Sequence, residues 1–123
     1  MKKLLIACLL LFTGCDHTWQ NLPLSTEDAR TIIKYNLKYY RLPKRKFAPS
    51  ALTDERSAVK AAEKVLFPIY GREVIRDEHP YTVGFADGYW VIYGYLPANA
   101  PGGVFSIVLY GETGEVLSIA HGK

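Results

Sequence analysis

Tyr81-Thr82-Val83-Gly84-Phe85-Ala86-Asp87-Gly88-Tyr89-Trp90-Val91-Ile92-Tyr93 is the stretch that decides the fold. Asp87-Gly88 between two β-prone runs is a strong signal for a two-residue hairpin turn. One strand follows Pro80 from Tyr81 to Phe85, and its return strand runs Tyr89–Leu96. Outward from the hairpin, Pro97 to Gly103 reads as a loop, and Val104–Tyr110 and Glu115–His121 as two further strands joined by Gly111-Glu112-Thr113-Gly114. Upstream, the apolar period changes from helical to alternating at Glu73, which predicts a short first strand over Glu73–Asp77.

Before that change the apolar spacing is helical. Ser25-Thr26-Glu27-Asp28 fits a capping box, and Ala29, Ile32, Ile33, Leu37 and Tyr40 recur at helical intervals, so a first helix is predicted over 26–41. Pro43 stops it. Thr53 is expected to cap a second helix with the stripe Ala58, Val59, Ala62, Val65 and Leu66, ended by Pro68 and Gly71. Helix, helix and a four- to five-stranded antiparallel meander make an α+β domain over residues 25–123, with both helices expected on one face of the sheet.

Strand alternation divides the side chains. Trp90, Ile92 and Leu96 share a side with Phe105, Ile107 and Leu109, and this is the face the helices are expected to cover. The opposite side carries Tyr89, Val91, Tyr93 and Tyr95, then Val104, Ser106, Val108 and Tyr110, then Ser118 and Ala120. It is almost free of charge and mixes tyrosine with small residues, as contact surfaces do. Tyr89, Tyr93, Tyr95, Ser106 and Tyr110 are therefore the candidate partner-binding residues. The alternative is that helix one or a second copy of the protein covers this face.

The amino terminus reads as an export signal. Lys2 and Lys3 precede the apolar run Leu4 to Phe12, about half the roughly 18–20 residues of a spanning helix. Phe12-Thr13-Gly14-Cys15 resembles the bacterial lipobox, in which the cysteine is acylated and the chain is cut before it. Phe12 stands where leucine is commoner. The expectation is a signal peptide over residues 1–14, a lipid on Cys15, and a tether over 15–24. Asp16 resembles the signal that retains lipoproteins in the inner membrane, facing the periplasm. Loss of Lys2 and Lys3 lowers the net charge from +3 to about +1, which gives no footing for nucleic acid. With Cys8 removed and Cys15 acylated, no disulfide is available. The domain is held by packing, to which nine Tyr, five Phe and two Trp are suited.

Catalytic signals are absent. His17, His79 and His121 are scattered without metal-ligand spacing, and no nucleophile elbow, P-loop or dinucleotide fingerprint occurs. Asp77-Glu78-His79 is one tight ionisable cluster, and it reads as a solvated turn between strands. The basic stretch Arg41 to Lys46 reads as a solvated loop rather than a lipid contact. No catalytic residue, metal, cofactor or small-molecule substrate is expected.

Taken as a block, Ile69-Tyr70-Gly71, Pro80-Tyr81, Trp90-Val91-Ile92-Tyr93-Gly94, Leu96-Pro97, Gly102-Gly103-Val104-Phe105 and Gly114-Glu115-Val116-Leu117 resemble the YbbC/YhhH-type immunity proteins. The likeness spans residues 58–123, and helix one resembles the family only in kind. It implies the nuclear-transport-factor-two (cystatin-like) fold, a place beside polymorphic toxin genes, and neutralisation of a cognate toxin by binding it. It implies no catalytic residues. Its recurring positions are structural: Tyr70 and Gly71 ending a helix, Trp90 filling the core, Gly102 and Gly103 starting a strand. Two other classes stay open. Strands followed by Thr113-Gly114-Glu115-Val116 also resemble the PepSY type of extracytoplasmic inhibitory module, and the fold hosts small enzymes.

Overall fold

A computed structural model describes residues 20–39 and 51–122. Cys15, Asp16, the signal and the basic stretch 41–46 lie outside them. In chain order the elements are β1 (Leu22–Pro23), α1 (Thr26–Tyr39), α2 (Glu55–Tyr70), α3 (Arg72–Arg76), β2 (Thr82–Ala86), β3 (Tyr89–Tyr93), β4 (Phe105–Tyr110) and β5 (Val116–His121). The strands form one sheet in the order β1-β2-β3-β4-β5. β2 to β5 are the antiparallel meander, and β1 joins its edge in parallel with β2.

The central hairpin forms as its turn chemistry dictates. Asp87 (φ 52°) and Gly88 (φ 87°) both adopt positive φ, the geometry of a type I′ turn whose twist matches the flanking strands. α1 starts where the Asp28 N–H donates to Ser25 Oγ at 3.1 Å. α2 is capped one residue later than expected. Asp54, not Thr53, accepts from the Ser57 N–H at 2.7 Å, and the Ser57 hydroxyl accepts from the Asp54 N–H at 3.1 Å.

Three expectations are corrected. Glu73–Asp77 is no strand: Arg72–Arg76 is a short helix. Val74 and Ile75 are adjacent apolar residues, which alternation would send to opposite faces. The helical turn buries Ile75 completely and leaves Val74 exposed. Part of the expected tether is strand: the Leu22 N–H donates to Tyr81 O at 2.7 Å and the Leu24 N–H to Val83 O at 2.8 Å. Pro23, with no N–H to give, sits on an edge, where sheets tolerate proline.

The third correction concerns the layers. The α+β class stands, but the helices do not share a face. α2 and α3 cover one side, in a core of Leu66, Ile75, Tyr81, Ile92, Phe105, Ile107 and Leu109 among others. α1 lies on the other side, where Ala29 and Ile33 pack against Ala86, Val91 and Val108. The physical reason is that β3 and β4 are apolar on both sides. Val91 and Val108 are as completely buried as Ile92 and Ile107, and unbroken apolar strands mark a sheet covered on both faces.

Candidate functional site

The face predicted to be open is thus divided by α1. The register aligns Tyr93, Ser106 and Ala120 in one row across the sheet, Val91, Val108 and Ser118 in the next, and Tyr89 with Tyr110 in the third. α1 packs chiefly on β2 and β3 and reaches β5. Tyr89 and Tyr93 are half-buried beside its cluster. The Tyr89 and Tyr110 rings lie 5.2 Å apart. The Tyr110 hydroxyl donates to Glu112 Oε2 at 2.9 Å, and that bond to a carboxylate raises its pKa. Tyr95 lies past the end of β3 and is 45% exposed. The five candidates are therefore not one continuous patch.

Small residues on β4 and β5 leave a hollow beside the carboxyl-terminal part of α1. Its volume is about 230 Å³, and Tyr35, Asn36, Ser106, Ser118, Ile119 and Ala120 line it. Asn36 is buried and its Nδ2 donates to Ile32 O at 2.7 Å. Ser118 is only 4% exposed, and its Oγ has no hydrogen-bond partner among the described residues. An unmatched buried hydroxyl costs on the order of 1–3 kcal/mol. Ser118 and Ala120 were legible on this face from alternation. Tyr35 and Asn36 were not, because the helix that carries them was assigned to the other side.

A second polar centre was missed entirely. Glu78, read as part of a solvated turn, is 8% exposed. Its Oε1 accepts from the Phe105 N–H at 2.7 Å, its Oε2 accepts from His121 Nε2 at 2.9 Å, and its carbonyl accepts from the Tyr95 N–H at 2.7 Å. One residue thereby ties the turn after α3 to Tyr95 beyond β3 through its backbone, and to the start of β4 and the end of β5 through its side chain. Gly94 makes room for it: a Cβ there would sit 2.6 Å from Glu78 Oε1. His79 stacks on Tyr81 at 3.9 Å, and Asp77 is exposed.

His121 presents one ring nitrogen to Glu78 and the other to Gly122 O at 2.8 Å. Two acceptors suit the doubly protonated ring. Burial pushes its pKa down, but the Glu78 hydrogen bond, the Gly122 carbonyl and the Glu78 charge outweigh it, and the net shift is upward. Tyr70, the last residue of α2, rests its ring 5.0 Å from His121. Gly71 follows at φ 98°, its N–H bonded to Phe67 O at 2.9 Å. Gly102 has φ 94°, and the backbones of Gly103 and Gly122 approach so closely that a side chain on Gly103 would overlap Gly122. Trp90 is half-buried against the α2 core, and its Nε1 donates to Leu52 O at 3.1 Å. Both oxygens of Glu78 are engaged within the chain, and among the described residues no group of three or more His, Cys, Asp or Glu could hold a metal ion.

A mixed sheet between α1 and the α2–α3 pair, with a lined hollow at its side, is consistent with the nuclear-transport-factor-two class of α+β fold. The model of the family described as "NTF2 fold immunity protein" matches residues 57–123, more than half of the chain, and the chain belongs to that family. No curated protein and no solved structure matches it.

Proposed function

We propose that this immunity protein is a lipoprotein that binds and neutralises a cognate toxin acting in the bacterial cell envelope. Family membership over residues 57–123 carries the reading. Its location rests on Lys2-Lys3, the apolar run Leu4 to Phe12 and the lipobox-like Phe12-Thr13-Gly14-Cys15. An antidote works where its toxin acts, and a chain held by Cys15 on the periplasmic side, in the inner membrane by the Asp16 signal, meets a toxin of peptidoglycan, lipid or membrane. Neutralisation is by binding, without chemistry. The full engagement of Glu78 and His121 with each other and with the backbone supports this. The tyrosines Tyr89, Tyr93, Tyr95 and Tyr110 with Ser106 are proposed to contribute contact area at the margins of α1.

The test is protection of cells that export the neighbouring toxin. The full-length protein should protect, and Cys15→Ser should weaken protection without altering the fold. A toxin that kills only from the cytoplasm would overturn the envelope assignment. Binding of an unrelated extracytoplasmic enzyme instead of a toxin would favour the PepSY-like module.

A further inference from the structure

Among the described residues two buried side-chain atoms have no hydrogen-bond partner: Asn21 Oδ1, just ahead of β1, and Ser118 Oγ, whose residue lines the hollow beside α1. Three buried or part-buried polar side chains on the α2 side have partners: Glu78 with Phe105 and His121, the Tyr81 hydroxyl with Glu63 Oε2 at 3.0 Å, the Trp90 indole with Leu52 O. Ser118 lines the hollow and is almost fully buried, and its Oγ has no partner among the described residues. We propose that this hollow receives one neutral, hydrogen-bonding side chain of the toxin, an amide or a hydroxyl, with Ser118 as its buried partner. The proposal rests on the toxin-binding reading and names where that binding is anchored.

Three observations select this occupant. The volume is about 230 Å³, below the roughly 300–1,000 Å³ of pockets that enclose small-molecule ligands; it suits a single inserted side chain. None of the six lining residues carries a charge, so an ionised group would lose its hydration with no counter-charge to replace it. Ser106, Ser118 and Asn36 would leave a purely aliphatic side chain facing polar walls. Tyr35, which lines the hollow, is 55% exposed, and its ring lies 4.7 Å from that of Tyr39, 58% exposed. Exposed tyrosines beside a buried polar anchor are the arrangement in which a few residues carry most of an interface's affinity.

The experiment measures affinity of the full chain for the toxin encoded beside it, together with each variant's melting temperature. Ala120→Phe fills the hollow from an exposed position and should weaken binding by about 100-fold or more, as a blocked anchor does. Ser118→Ala removes only the hydroxyl and should weaken binding by roughly 10-fold, the cost of one buried hydrogen bond. Neither should lower the melting temperature, and Ser118→Ala should hold or raise it. Wild-type affinity in both variants overturns the hollow as the anchor and leaves toxin binding standing. Failure of the wild-type chain to bind the toxin overturns the function proposed above and this site with it. A toxin-free dimer that Ala120→Phe converts to monomer would make a second copy the occupant and overturn the proposal.

Discussion

The two faces of the sheet are built differently. On one, two helices press Leu66, Ile75, Tyr81, Phe105, Ile107 and Leu109 into a core of large side chains. On the other, a single helix rests Ala29 and Ile33 on Ala86, Val91 and Val108, and the small residues of β4 and β5 leave space beside it. The first face engages Glu78 and the Trp90 indole internally, whereas on the second Ser118 Oγ has no partner among the described residues. The family match begins at Ser57 and so covers α2 but not α1. The densely packed face holds the molecule together, and the thinner one leaves a hollow beside α1.

The largest expected effect is on the dense face. Phe105 is fully buried and meets Tyr81 edge-on at 5.1 Å. Phe105→Ala should cost about 3–5 kcal/mol in chemical denaturation, lost transfer energy plus a cavity. Ile33→Ala, its counterpart under α1, should cost about 2–3 kcal/mol, the low end for such truncations, because alanines on both sides leave fewer contacts to lose. Equal losses at the two positions would break the asymmetry.

Glu78→Gln should come next, at about 1–2 kcal/mol, since an amide oxygen can still accept from the Phe105 N–H but the charge facing His121 is gone. The same pair makes stability depend on pH. The folded pKa of His121 lies above its ordinary 6.5, so its contribution is complete below that value and fades as pH rises through the raised one. Melting temperature should fall across that window in the wild type. The fall should flatten in Glu78→Gln, and an unaltered profile would show that another group titrates there.

The smallest effect belongs to the exposed bridge between α1 and the hairpin turn, Arg30 Nε to Asp87 Oδ2 at 3.1 Å. Asp87→Asn should change stability by no more than about 0.5 kcal/mol, as exposed ion pairs usually do. A larger loss would mean that α1 is held by this contact more than by Ile33.

Much of this was legible along the chain. The Asp87-Gly88 turn, the strands around it, both long helices and the Ser25 start signal follow from interactions within a few residues. Alternation correctly grouped Trp90 with Ile92, Phe105, Ile107 and Leu109, and Val91 with Val108. The resemblance over residues 58–123 pointed to the right family because turn residues and strand spacing are themselves local.

The tertiary structure decided the rest. Periodicity says which residues share a face, but not which helix covers it, and residues 40–54 between the helices have the contour length to pass round a sheet edge. The fully apolar centres of β3 and β4 were the one local sign that both sides would be covered. Val74-Ile75 became helical because only Ile75 had a core to enter. Glu78 and His121 stand 43 residues apart in sequence, so no local pattern could join them. Their meeting depends on β5 closing against β4, on Gly94 leaving room for a carboxylate, and on Gly103 and Gly122 letting two backbones touch.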